Sequence, residues 1–221
     1  MTDNFNIIKV FIQSQWGDSF DKLDDLFYTI EIIYRTKDGD TIAAIPRSGG
    51  NRLHCIKVYY INKISDFDKY KLEIIKLCED FNARAYFSIN VKSYEHITKA
   101  CMVEFANRIS IANYHKPQSI FESCTAKYVN KSNQLWILDV DKEDADHMNM
   151  SIGDLAEFYK KIVEECRPNK PVVTIIPTKS GRHIICHPFD TLNFFDRISI
   201  KQNKDSIIKK NNNTLLYENI K

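Results

Sequence analysis

The feature that most constrains this chain is a run of four apolar residues, Leu135 to Leu138, leading directly into Asp139-Val140-Asp141. The run predicts a buried strand. On a strand, residues two apart point to the same face, so Asp139 and Asp141 project side by side while Val140 packs on the other. Two carboxylates at that spacing repel each other, and a cation between them relieves the repulsion. Hard divalent ions such as Mg²⁺ or Mn²⁺ suit oxygen ligands and leave positions for phosphates and water. The plainer alternative is a solvated strand end. Asp144 and Asp146 follow closely, as loop ligands or as part of a polar turn.

One helix later the chain reads PTKSGRHIICHPFD. Lys179, Ser180, Arg182 and His183 cluster at a turn that enters an apolar strand. The serine offers a hydroxyl, Gly181 permits close backbone approach, and Arg182 and His183 suit phosphate oxygens. Alone this is an ordinary hairpin. Its position after Asp-x-Asp makes it a more specific candidate for contact with phosphate oxygens.

The remaining pattern is mixed. Helices are predicted over Asn4 to Trp16, after Ser65 or Asp66 (Tyr70, Ile74, Leu77, Cys78 and Phe81 on one face), and after Ser93 (Ile97, Cys101, Phe105 and Ile109 on one stripe). The spacing of Leu26, Phe27, Ile30, Ile33 and Tyr34 favours another helix over Asp24 to Arg35, with a strand as the alternative. Strands are predicted over Cys55 to Tyr60, Ala83 to Val91, Val172 to Ile176, Arg182 to Cys186 and Thr214 to Glu218. Ser151 and Asp154 form a capping box for a helix ending near Cys166. His115 to Asn133 reads as a long polar loop, and the segment before Thr214 as variable and polar. Together these predict an α+β fold with helices on one face of a largely antiparallel sheet.

With 221 residues, one domain is expected, divided into an N-terminal lobe over about 1–130 and a metal-binding half over about 131–221. A charged fraction of 27% and a net charge of +2 argue against a purely electrostatic nucleic-acid binder but allow a local basic cleft. The six cysteines include no Cys-x-x-Cys, which disfavours a zinc knuckle. Neither a Gly-x-Ser-x-Gly elbow nor a Walker-type phosphate loop is present. No apolar run is long enough for a membrane span and the first residues lack a secretion pattern, so a cytoplasmic location without membrane contact is expected.

LDVD followed by KSGRH resembles the archaeo-eukaryotic primase superfamily, in particular the compact primase-polymerases of bacterial viruses and mobile elements. FNARAYFSINVKS and NTLLYEN are similar to stretches of those compact members. The resemblance implies a catalytic sheet like that of the RNA-recognition motif, with an added N-terminal α/β lobe. It implies divalent metals on Asp139 and Asp141, with Ser180 and His183, and Lys179 or Arg182, at the incoming triphosphate. It also calls for a third acid on a later strand; Glu218 is the best placed, with Asp190 and Asp205 as alternatives. The implied activity is template-directed nucleotidyl transfer on single-stranded DNA, with any helicase or other replication protein on a separate chain. Arg47, Arg52, Arg84 and Lys92 sit near aromatic residues and are candidates for nucleic-acid or nucleotide contact. A metal-dependent nuclease and a non-catalytic nucleic-acid-binding module are the alternatives.

Overall fold

Which face of each strand is apolar decides how this chain layers. The computed structural model describes residues 1–34, 54–117, 119–128, 133–166, 170–198, 207–210 and 213–219. The first half holds β1 (Thr2–Asp3), α1 (Phe5–Trp16), β2 (Leu26–Tyr34), β3 (His54–Ile61), α2 (Ser65–Asp80), β4 (Arg84–Ser88), β5 (Lys92–Ser93), α3 (Tyr94–Ser110) and α4 (Ser119–Lys127). The second holds β6 (Trp136–Asp141), α5 (Lys142–His147), α6 (Ile152–Cys166), β7 (Thr174–Pro177), β8 (Gly181–Cys186), α7 (Thr191–Ile198), β9 (Ile208–Lys209) and β10 (Asn213–Glu218).

The strands form two antiparallel sheets, so the fold is α+β. The first has the order β1-β10-β4-β2-β3, with β5 added on β2. The second has the order β7-β8-β6-β9. With α5 and α6 between β6 and β7, and α7 between β8 and β9, the second sheet is a β-α-β-β-α-β arrangement of the ferredoxin-like kind, which RNA-recognition motifs share.

The two faces of the second sheet have different neighbours. Leu138, Val140, Ile184 and Cys186 pack under α6 and α7, with Leu155, Tyr159, Phe194 and Ile198. Ile137, Ile176 and Ile185 instead join Phe5, Ile8, Phe87 and Leu216 in a core continuous with the first sheet. Two buried asparagines reinforce that junction. Asn4 Nδ2 donates to the carbonyls of Pro177 and Leu215, each at 2.8 Å. Asn90 Nδ2 donates to Leu135 O at 3.1 Å, and its Oδ1 accepts from Leu135 N at 2.7 Å. Each gives backbone groups at the junction a side-chain hydrogen-bond partner.

Several elements differ from expectation for identifiable reasons. The helix expected over Asp24 to Arg35 is replaced, within its described residues, by β2. Thr29, Ile30, Ile32 and Ile33 are β-branched, and both strand faces carry apolar residues, which obscured the period of two. The expected loop over 115–133 contains α4, anchored by Ile120 and Thr125 in the wall beside Phe27. The stripe on α3 is buried only at Ile97 and Cys101; Phe105 and Ile109 are exposed. The polar stretch before β10 also contains α7, held by Phe194, Phe195 and Ile198. The last strand, read as part of the second half, inserts between β1 and β4 of the first sheet. No helix among the described residues is long and apolar enough to cross a membrane.

The Asn90 bridge predicts a measurable cost. Asn90→Ala strands the buried N–H and C=O of Leu135, and the loss in urea denaturation should be about 3 kcal/mol. A loss below about 0.5 kcal/mol would show that the bridge does not hold the sheets together.

Candidate active site

β6 and β8 pair with Asp139 opposite His183 and Asp141 opposite Gly181. Alternation therefore sends Asp139, Asp141 and His183 to the face that looks toward the first sheet. There they line a cavity of about 470 Å³, together with Thr178, Ser180 and Lys209. The first sheet closes its other side with Glu31, Ile33, Tyr86, Asn213 and Leu215. The turn before β8 is closed by Thr178 N donating to Gly181 O at 3.0 Å. A Cβ on Gly181 would lie 2.1 Å from the carbonyl oxygen of Val140, so only glycine lets β8 approach β6 at this point.

Asp139 is buried and doubly engaged. Its Oδ1 lies 3.3 Å from Nε2 of His183, and its Oδ2 is ion-paired with Lys209 Nζ. Burial pushes the Asp139 carboxyl up, but His183 and Lys209 outweigh it and hold the group below its ordinary range. Asp141 goes the other way, raised first by burial and then by the Asp139 charge. Asp144, in the first turn of α5, is raised by burial and further by Asp139, against a backbone hydrogen bond with Asp141 that opposes the rise. The three acids thus share one field, in which negative charge is crowded and partly desolvated.

His183 is held from the opposite sheet. Its Nδ1 lies 2.9 Å from Oγ1 of Thr214, a fully buried residue of β10. A second ring nitrogen tied in this way fixes the imidazole's orientation and tautomer. Neither Thr214 nor Lys209 carries a local sequence signal. One is an ordinary strand threonine and the other belongs to a lysine-rich stretch.

The other sequence candidates are placed as follows. Ser180 lines the cavity beside His183. Lys179 is half exposed at the same turn, with Nζ 3.4 Å from Oε1 of Glu218. Arg182 faces away from the cavity, opposite Val140, and its guanidinium lies against Gly153 at the start of α6. Glu218 does not line the cavity. It is buried on β10, where Arg84 Nε donates to its Oε1 at 2.8 Å. The acid and Arg84, proposed for different tasks, are thus each other's partners. Lys92 is buried too, its Nζ donating to Thr125 O at 2.9 Å, and it lines a neighbouring cavity. Asp190 accepts from the N–H groups of Leu192 and Asn193 at the start of α7. Arg47, Arg52 and Asp205 lie outside the described residues.

Among the described residues, no three His, Cys, Asp or Glu side chains gather closely enough to hold a metal ion unaided. The donor set still fits a hard cation. Mg²⁺ is commonly held by one or two carboxylates, with phosphate and water oxygens completing its shell. Asp139 and Asp141 supply that pair in an open cavity, and a cation would relieve the part of the upward push on Asp141 that comes, after burial, from the Asp139 charge. No protein-family model, curated protein or solved structure matches the chain.

The Thr214 contact predicts a spectroscopic signature. In ¹⁵N-detected imidazole spectra, Thr214→Val should change the tautomer ratio of His183, and Thr214→Ser should restore it. Identical His183 ring shifts in all three proteins would show that Thr214 does not position the ring.

Proposed function

We propose that this chain is a template-directed nucleotidyltransferase of the primase-polymerase kind. The observation that most supports this reading is the pair Asp139 and Asp141, standing on one face of β6 and sharing a cavity with Ser180 and His183. In this reading the two aspartates hold Mg²⁺ or Mn²⁺, which supply charge neutralisation at the phosphates and polarise the attacking hydroxyl. Ser180 and His183 offer donors to the triphosphate. Lys209, ion-paired with Asp139 here, turns to a phosphate oxygen when that carboxylate is engaged elsewhere. Lys179 reaches the same turn from solvent. Arg182, packed at α6 on the far face, takes no part.

The 3′-hydroxyl oxygen of a primer or first nucleotide attacks the α-phosphorus. The bond from that phosphorus to the bridging oxygen breaks, pyrophosphate leaves with the electron pair, and the hydroxyl proton passes to solvent. The protein's work is positioning and electrostatic stabilisation, with no covalent intermediate. The template is single-stranded DNA, and a helicase or other replication protein on a separate chain supplies unwinding. One observation favours a non-catalytic binding module instead. Glu218, the acid the resemblance calls for, is committed to Arg84 and Lys179.

A single assay separates these readings. With single-stranded DNA, labelled nucleoside triphosphates and Mg²⁺ or Mn²⁺, the protein should make oligonucleotides visible on a denaturing gel. Asp139→Ala/Asp141→Ala should reduce them at least about a hundredfold. Shortened template without new product would favour a nuclease. No product with or without a supplied primer would favour the binding module.

A further inference from the structure

Beside the candidate active site lies a second cavity of about 530 Å³. It sits on the same face of the first sheet, and the two cavities share Glu31. Strand alternation explains the layout. Phe27, Thr29 and Glu31 point to this face, and Lys92 joins it by pairing with Phe27. Lys92 and Glu31 are therefore four residues apart in the register of β2, about 14 Å at the backbone, and their long side chains bring the two charges near enough for Glu31 to act on Lys92. Thr29 lies between them.

The polar groups here are built in and underused. Lys92 is only 6% exposed, and Thr125 O takes one of its three N–H donors. Glu31 pairs through its backbone with β3 and β4, and no hydrogen bond or ion pair holds its carboxylate among the described residues. The hydroxyls of Thr29 and Thr125 are buried in the wall without a partner. A desolvated ammonium and unfilled hydroxyls are costly features unless something completes them. Ile56, Val58 and Tyr60 give the remaining wall an apolar stretch, with Cys55, Lys57 and Glu122 also in the lining, and the Tyr60 ring is fixed edge-on by Phe27 and Phe121 at 5.6 and 5.8 Å.

A ligand for this space needs a planar body, an acceptor at one end of an edge and donors at the other. Its volume is in the range of small-molecule sites. The lining carries both signs of charge, Glu31 and Glu122 against Lys92, so a ligand that offers both donors and acceptors suits it better than a simple ion of either sign. Among the common bases, guanine alone places two adjacent donors, N1–H and N2–H₂, next to a carbonyl acceptor, O6. Two parallel donors are what a carboxylate binds best. Adenine and cytosine offer that edge a single donor group.

We propose that this second cavity is a guanine-nucleotide subsite, in which Glu31 accepts from N1–H and N2–H₂ and Lys92 donates to O6. The inference goes beyond nucleotidyl transfer and stands whether or not the chain polymerises. Because Glu31 belongs to both cavities, a nucleotide bound here lies next to the Asp139–Asp141 pair.

Isothermal titration calorimetry of the full chain with GMP and IMP, in buffer free of divalent metal, tests the proposal. IMP differs by the absent N2 amino group, which forms a hydrogen bond to a charged acceptor in this scheme. GMP should therefore bind about tenfold or more tightly than IMP. Glu31→Gln and Lys92→Met should each weaken GMP at least about tenfold. Lys160→Met, on α6 and outside both cavities, should leave GMP binding within about twofold. Circular dichroism checks each fold; if Lys92→Met unfolds, the near-isosteric Glu31→Gln carries the test. Equal affinity for GMP and IMP, no GMP binding at millimolar concentration, or unchanged GMP binding in Glu31→Gln would overturn the proposal.

Discussion

Everything in this structure depends on one strand serving two layers. Along β6, Leu138 and Val140 go under the helices of the second sheet, while Ile137 enters the core shared with the first. Asp139 and Asp141 continue the register of Ile137. The inward face thus changes from apolar to acidic within a few residues, where the shared core gives way to a cavity. A one-residue slip would send both carboxylates into the helix layer and Val140 into the cavity. Gly181 guards against that slip, because its contact with the Val140 carbonyl leaves room for no other residue.

The return of the chain into the first sheet is the second structural commitment. β10 pairs with β4 and β1, bringing Thr214 to His183 and Glu218 to Arg84. The histidine is consequently held by Asp139 of its own sheet on one side and by Thr214 of the other sheet on the other. A change in how the sheets sit would reach the imidazole directly. The Arg84–Glu218 pair is largely buried, and removing one member would leave an uncompensated charge. That makes it part of the framework behind the cavity.

Legibility in the sequence followed the distance over which the signal had to act. β6 and the hairpin of β7 and β8 were readable because their patterns are contiguous. Residues 24–35 misled because β2 carries apolar side chains on both faces, so its true period was hidden. α4 was missed because a few anchors, Ile120 and Phe121 among them, hold an otherwise polar segment. Thr214, Lys209 and Glu31 were unreadable for a different reason. Each lies in an ordinary local pattern and gains its place only when two sheets meet. Arg182 shows the converse, since its neighbour His183 points one way along β8 and it must point the other. Glu218 ends β10 of the first sheet, and there it pairs with Arg84 and does not line the cavity, a placement that only the sheet order reveals.

Asp139 and Asp141 are proposed to form an incomplete cation site that a triphosphate completes. Electron paramagnetic resonance of Mn²⁺, titrated into the protein with a non-hydrolysable nucleoside triphosphate, measures this directly through the loss of the free-ion signal. Bound Mn²⁺ should exceed that in triphosphate alone for the wild-type chain, and the excess should vanish in Asp139→Asn/Asp141→Asn. The same uptake by both proteins, or none beyond triphosphate alone, would contradict it.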